Sequence, residues 1–192
     1  MILPAIRATL QDLPLGQSSF ISSFEKQSNA SADRRGKSGR RPDIMLTMKH
    51  HEKNYELLYV ECSRLFCTDQ KDQDDEVKLW RECNDGLYWV HKGCKPDKDQ
   101  FGVVGLQVAG RTMRLTTLIR DKSDIDRYYH LYESEVPVQQ SDSLVVIEFI
   151  KTLLILRNLL IVNMSLLYNS SLSRSARLVK ESSTVSSPDP IQ

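Results

Sequence analysis

Short apolar runs separated by polar stretches are the main pattern in the middle of the chain. Residues 44–48 and 55–60 are apolar and rich in strand-forming side chains, and the polar stretch HHEKN, residues 50–54, lies between them. Two such runs joined by about five polar residues predict a β-hairpin. Residues 103–108 and 112–119 have the same pattern around a central glycine, which predicts a second hairpin.

A helical spacing of apolar side chains lies between the two hairpins. In residues 76–93 the apolar side chains recur every three or four positions, as they do on the buried face of a helix. Asp74 and Asp75 suit the start of this helix, because negative charge is favoured at the positive end of the helix dipole. Gly93 suits its end. We therefore expect a helical crossover between the hairpins.

The long apolar stretch of residues 144–167 has two interpretations. Its length suits a membrane-spanning helix, which needs roughly 20 apolar residues. Glu148 and Lys151 lie near one helical stripe, together with further polar side chains, and this favours an amphipathic helix packed on a core. We expect such a core helix, capped by Ser141 or Asp142, and no membrane association.

The remaining elements complete a mixed sheet. Residues 128–138 predict a last short strand at an edge, because Pro137 cannot donate a ladder hydrogen bond. Residues 18–26 predict a short helix. The order strand, strand, helix, strand, strand, strand, helix predicts an α/β (α+β) fold, a mixed β-sheet of about five strands with helices packed on it.

The chain divides by composition into a central domain with a segment on either side. We expect an N-terminal segment and basic linker over residues 1–39, the domain over residues 40–168, and a disordered serine-rich tail over residues 169–192. The opening sequence MILPAIRATLQDLPLG has no unbroken apolar run after a basic start. It therefore predicts no signal peptide, an intracellular protein (nuclear or cytoplasmic) and reduced cysteines.

Positive charge is concentrated in one short segment. The formal net charge is only +1, so the whole chain does not favour a polyanionic partner. Residues 34–41, RRGKSGRR, form a basic run that two glycines make a loop or linker. It is either a phosphate-contacting arm or import signal, or a solvated linker. Its basic side chains, the expected contacts for nucleic acid, are Arg34, Arg35, Lys37, Arg40 and Arg41.

The first hairpin places two acidic residues opposite each other. Symmetry about residue 52 predicts these pairs: Met48 with Glu56, Ile44 with Val60, and Asp43 with Glu61. Directly opposed residues share a face of the sheet, with Cβ atoms roughly 4.5–5.5 Å apart. Asp43 and Glu61 would repel each other at that distance unless a cation lay between them. Carboxylate oxygens suit Mg²⁺ or Mn²⁺.

These residues also resemble a known signature. Pro42-Asp43, a hairpin and then Glu61-Cys62-Ser63 resemble the motif of PD-(D/E)XK nucleases, and residues 40–168 look like a group of uncharacterised fungal nuclease-like proteins. The resemblance implies a restriction-endonuclease-like core. It also implies that Asp43 and Glu61 bind Mg²⁺ or Mn²⁺ as a cofactor for phosphodiester hydrolysis.

The third position of the motif departs from the family. The resemblance implies a lysine that orients the attacking water, but Ser63 stands there, and a hydroxyl supplies no positive charge. Strand alternation directs the neighbouring Arg64 to the other face. Lys78 is either a migrated catalytic lysine or a solvent-facing helix residue. Gln107 either points to the site or makes an edge or turn hydrogen bond. The candidate catalytic residues are Asp43, Glu61, Ser63 and Lys78.

Two functions remain open from the sequence. One is metal-dependent hydrolysis of nucleic acid, and the other is a catalytically inactive nuclease fold that binds nucleic acid or protein. Three aromatic residues of the predicted helix, Trp80, Tyr88 and Trp89, either stack on bases or pack in the core. Their helical spacing favours the core.

Overall fold

The described part of the chain folds into a mixed six-stranded sheet with four helices packed on it, in the α+β class. The computed structural model describes residues 2–14, 19–23, 26–36, 38–138 and 141–170. The elements are, in order, α1 (Ile2–Thr9), β1 (Ser19–Ser23), α2 (Asn29–Arg35), β2 (Ile44–His50), β3 (Lys53–Cys62), α3 (Asp69–Gly93), β4 (Gly102–Ala109), β5 (Thr112–Arg120), β6 (Asp126–Glu135) and α4 (Ser143–Tyr168). The predicted fold class is confirmed, with one strand more than expected.

The strands follow chain order across the sheet, and α3 makes the crossover between its two halves. Strands β3 and β4 are parallel, while every other neighbouring pair is antiparallel. A Cβ at Gly105 in β4 would meet Leu79 and Cys83 of α3, so α3 lies directly on the sheet there. Helix α4 covers the opposite face, where Tyr132 of β6 donates a hydrogen bond to Glu148.

The turn of the first hairpin is shorter than predicted. Strand β2 passes into β3 through two residues, His51 and Glu52, with φ of 45° and 62°. This left-handed conformation at both central positions is typical of tight hairpins. The five-residue loop predicted from HHEKN was therefore wrong, because its flanking polar residues continue the ladder.

A β-bulge restores the predicted register at the far end of the hairpin. Leu46 pairs with Leu58 but Thr47 pairs with Glu56, so Leu57 is an extra residue in β3. Beyond the bulge the pairs include Ile44 with Val60, as predicted. Before it, Met48 pairs with Tyr55, and the predicted pair of Met48 with Glu56 was wrong. Bulges shift pairing by one residue in this way.

The bulge also puts Glu56 on the same face as Tyr59, where its carboxylate holds α2 against the sheet. Glu56 is fully buried. Its oxygens accept hydrogen bonds from Ser28 Oγ (2.6 Å), the Asn29 backbone N–H (2.7 Å) and Tyr59 OH (2.6 Å). Ser28 is in turn the N-cap of α2 and accepts from the Ser31 N–H. One buried side chain thus satisfies donors from a strand and from the start of a helix.

Two N-terminal predictions were wrong. Residues 19–23 form β1, paired with β2, rather than a helix over 18–26, because pairing with an existing strand overrides weak local preference. The basic run is not a loop throughout, since Arg34 and Arg35 form the last turn of α2. Gly36 ends that helix with φ of 60°. Lys37 lies outside the described residues.

The remaining boundaries move by a few residues. Helix α3 begins at Asp69 rather than near Asp74, because Thr68 accepts a hydrogen bond from the Lys71 N–H as its N-cap. Asp142 caps α4, one of the two predicted caps. Of the predicted tail, only residues 169 and 170 are described. Among the described helices none combines the length and apolarity that crossing a bilayer requires.

We predict that Glu56→Ala lowers the free energy of unfolding by about 2–4 kcal/mol, because it leaves three donors, two of them buried, without an acceptor. Urea denaturation measures this. The matched control is Glu52→Ala in the exposed turn, which we expect to change the free energy by less than about 0.5 kcal/mol. Equal effects of the two substitutions would contradict the role given to Glu56.

Candidate active site

Two predicted site residues meet where β2 begins and β3 ends. One further step of the register from Ile44 and Val60 puts Asp43 opposite Glu61. Asp43 Oδ2 accepts a hydrogen bond from the Cys62 backbone N–H at 2.7 Å, which continues the pairing of the two strands beyond the ladder. Glu61 is only 3% exposed and lies beneath α3. The charge of Asp43 also acts on Glu61, so the two carboxyl groups lie near each other.

Lys78 of α3 contacts this pair directly. Its Nζ lies 2.6 Å from Glu61 Oε2 and donates a second, longer hydrogen bond of 3.5 Å to the Arg41 carbonyl. The Lys78 side chain is 36% exposed, so it faces solvent in part while its ammonium group is paired with Glu61. Burial opposes its charge, but the hydrogen bond and the charge of Glu61 raise the pKa of Lys78 above its usual value. Lys78 is therefore protonated at neutral pH.

A third carboxyl group, from Glu82, was not identified in the sequence. Glu82 follows Lys78 by one helical turn and is fully buried. Burial and the charge of Glu61 raise the pKa of Glu82 to about 9, against the opposing charges of Lys78 and Arg40. Burial also raises the pKa of Glu61, although the hydrogen bond and charge of Lys78 lower it. The pair of Glu61 and Glu82 therefore retains one proton at neutral pH unless a cation binds between the two carboxyl groups.

Ser63 faces a different partner. Its hydroxyl donates a hydrogen bond to Asp75 of α3, and Asp75 is also paired with Lys71. The Ser63 backbone N–H donates to the Val108 carbonyl at 2.7 Å. Ser63 therefore connects the end of β3 to α3 and β4. Its hydroxyl group is hydrogen-bonded to Asp75 and not to Asp43 or Glu61.

Gln107 lies beside Glu61 on β4, on the same face of the sheet. Its amide does not make an edge or turn hydrogen bond, which was one of its two interpretations. It donates to the backbone carbonyl and to Oδ1 of Asp72, both at 2.8 Å. Arg114 holds the same Asp72 carboxylate through two further hydrogen bonds of 2.8 and 2.9 Å. Gln107 and Arg114 thereby fix the first turn of α3 above the site.

Part of the basic run lies next to the carboxylates. The charge of Arg40 acts on Glu82, and its buried Nη1 has no hydrogen-bond partner among the described residues. Arg34 forms an ion pair with Asp85 of α3 at 3.2 Å. Arg35 and Arg41 have exposed side chains. The run therefore borders the site.

The oxygen atoms of the site suit a hard divalent cation. Glu61 Oε1 and both carboxyl oxygens of Glu82 are buried and receive no hydrogen bond from an N–H or hydroxyl group of the described residues, although the two carboxyl groups are close enough to share a proton. Such oxygens are the ligands that Mg²⁺ and Mn²⁺ prefer. Over the same residues, no three His, Cys, Asp or Glu side chains are arranged as a complete metal-ligand set. The donor atoms therefore fit such a cation in kind, while the described residues do not form a complete set of ligands for it.

Comparison of the chain with protein-family models, curated proteins and solved structures gives no significant match in any of the three. Function is therefore inferred from the side chains of the site and from the fold that positions them.

The raised pKa of Glu82 predicts how stability depends on pH. Between the ordinary value of 4.5 and about 9, the folded protein holds a proton that the unfolded chain releases. The free energy of unfolding should fall as pH rises across this range, by at most about 1.4 kcal/mol per pH unit for one proton. Glu82→Gln should largely remove this slope.

Urea denaturation at several pH values, with EDTA present throughout, measures the slope for both proteins. The control is Glu76→Gln on the exposed side of the same helix, which should retain the wild-type slope. An unchanged slope in Glu82→Gln would show that Glu82 ionises normally in the folded protein.

Proposed function

We propose that residues 40–168 form a nuclease-like domain of the PD-(D/E)XK type that hydrolyses phosphodiester bonds in nucleic acid with Mg²⁺ or Mn²⁺. The observation that carries the proposal is the 2.6 Å contact of Lys78 Nζ with Glu61 Oε2. It brings a protonated lysine to the acidic pair from α3, and so replaces the charge that Ser63 lacks.

The order of elements supports this proposal. The resemblance requires an acid on one strand of a hairpin, an acid near the end of the next strand, and then a helix and a further strand. Strands β2 and β3, helix α3 and the parallel strand β4 follow this order. The helix that follows the motif is also the one that supplies Lys78.

Different side chains of the site would bind the cation, stabilise negative charge and position α3. Asp43 and Glu61 would hold the cation together with water, and its chemistry is to lower the pKa of a bound water and to neutralise charge at the scissile phosphate. Lys78 keeps a positive charge beside Glu61, where it can orient the attacking water and stabilise a phosphate oxygen. Ser63 keeps α3, and with it Lys78, in place through Asp75.

The basic run supplies the contacts for nucleic acid in this proposal. Arg40 and Arg41 lie beside the carboxylates, so a bound strand would reach them and the acidic pair together. Lys37 and Arg35 belong to the same expected contact set. Phosphate contacts of this kind make binding strongly dependent on salt. The expected compartment is intracellular, nuclear or cytoplasmic.

A second candidate function is an inactive nuclease fold that serves as a binding module. The same ion pair is the observation that favours it, because Lys78 already neutralises Glu61 without a metal ion. In this case the Lys78–Glu61 pair is structural, and the basic run alone contacts the partner.

We predict that purified protein cleaves plasmid and single-stranded substrates when Mg²⁺ or Mn²⁺ is present. Asp43→Asn, Glu61→Gln and Lys78→Met should each reduce the rate by roughly 100-fold or more, because each removes charge stabilisation at the reacting phosphate. Lys92→Met is the matched control, since Lys92 lies on the same helix but pairs with Asp33. It should cleave at the wild-type rate.

Calorimetric titration with Mg²⁺ or Mn²⁺ separates the two functions. Binding that is lost in Glu61→Gln supports the enzyme. Absence of binding by a folded wild-type protein, with no cleavage, supports the binding module. Cleavage that survives Asp43→Asn and Glu61→Gln together would remove the assigned site.

A further inference from the structure

Trp80 has an exposed indole on α3. Its exposed fraction is 42%, whereas its neighbour Leu79 is fully buried. Trp89 differs, because it is half-buried and its Nε1 donates to the Asn54 carbonyl at 2.8 Å. Trp80 is therefore not part of the core, contrary to what its helical spacing favoured. A large aromatic surface in contact with water is available to a ligand.

A basic depression surrounds this indole. It is lined by Arg34, Arg40, Trp80, Arg81, Asn84 and Asp85. Three guanidinium groups face one carboxylate, and that carboxylate is already paired with Arg34. Arg40 and Arg81 make no ion pair with any described residue. The depression therefore carries net positive charge, which suits an anionic ligand.

The depression adjoins the acidic site. Arg81 directly precedes Glu82 in α3, and Lys78 is less than one helical turn away. Arg40 is close enough to Glu82 for its charge to lower the pKa of that carboxyl group. A ligand that lies along the depression would therefore continue to the carboxylates.

We propose that this depression binds single-stranded nucleic acid, with phosphates at Arg40 and Arg81 and one base stacked on Trp80. The proposal rests on the proposed function for the class of ligand, and it adds the preference for a single strand. Bases in a duplex are stacked on their neighbours, so an indole on the protein surface can stack only on an unpaired base. A basic groove with an aromatic platform is the usual arrangement for such strands.

The guanidinium group of Arg34 is held by the protein and is not one of the proposed phosphate contacts. Its ion pair with Asp85 and its position 5.5 Å above the Tyr88 ring hold it against α3. It therefore forms the wall of the depression, while Arg40 and Arg81 remain for phosphates. Charge attraction alone would make a duplex bind at least as tightly as a single strand, because a duplex has the higher charge density, whereas stacking on Trp80 favours the single strand.

The test is equilibrium binding of a fluorescently labelled oligothymidylate of about 12 nucleotides, and of a duplex of the same length, to full-length protein. EDTA is present throughout, so binding is measured without cleavage. Trp80→Ala should weaken binding of the single strand by roughly tenfold or more, since stacking contributes that much per base. Trp80→Phe should retain most of the affinity, because a phenyl ring still stacks.

Matched controls separate stacking and phosphate contacts from general effects. Val77→Ala removes another exposed apolar side chain from the same helix and should bind normally. Arg81→Gln should weaken binding and reduce its dependence on salt, whereas Lys122→Gln, an equal loss of charge at a distant exposed site, should do neither. Quenching of intrinsic tryptophan fluorescence by the oligonucleotide should disappear in Trp80→Phe.

Two results would overturn the proposal. One is binding of the duplex as tightly as the single strand, with Trp80→Ala without effect. The other is displacement of the oligonucleotide by an acidic peptide at equal charge concentration, which would indicate a general anion surface. Binding with the expected Trp80 dependence but without cleavage when Mg²⁺ is added would instead refute the enzymatic function and leave this inference standing.

Discussion

The buried carboxylate of Glu61 requires a positive charge nearby, and this requirement connects the elements around the site. The α3 crossover joins two parallel strands and passes over the face that carries Glu61. Lys78 lies where α3 crosses Glu61, and its ammonium group supplies the positive charge. Gln107 and Arg114 fix the first turn of α3 through Asp72, which sets the position of Lys78 along β3. The ion pair and the crossover therefore depend on each other.

The acidic pair itself depends on the bulge in β3. The turn at His51 and Glu52, without a bulge, would set Ile44 opposite Tyr59 and Asp43 opposite Val60. Asp43 and Glu61 would then point to opposite faces of the sheet. The extra residue Leu57 moves the register by one and brings the two acids together. The same shift turns Glu56 inward, where it holds α2 and the basic run that begins in that helix.

The sequence predicted the elements whose periodicity reports a buried face, namely both hairpins and the two long helices. The predicted pair of Ile44 with Val60 is observed because two errors cancel: the loop was predicted too long, and the bulge at Leu57 was not recognised. The sequence did not predict β1 or α2, because β1 is held by pairing with β2 and α2 by the buried carboxylate of Glu56 rather than by local preference. It also missed Glu82, although its i,i+4 spacing from Lys78 was a signal that the two share a helix face.

Ser63 and Lys78 are coupled by their positions on facing elements. The Ser63 hydroxyl reaches Asp75, which lies between Lys71 and Lys78 on one stripe of α3. A lysine at position 63 would bring a third ammonium group to that stripe, where it would compete with Lys71 for Asp75 and repel Lys78. A hydroxyl avoids this repulsion and still fastens β3 to the helix. A serine on the strand and a lysine on the helix are therefore physically compatible, and Lys78 is the lysine that contacts Glu61 directly.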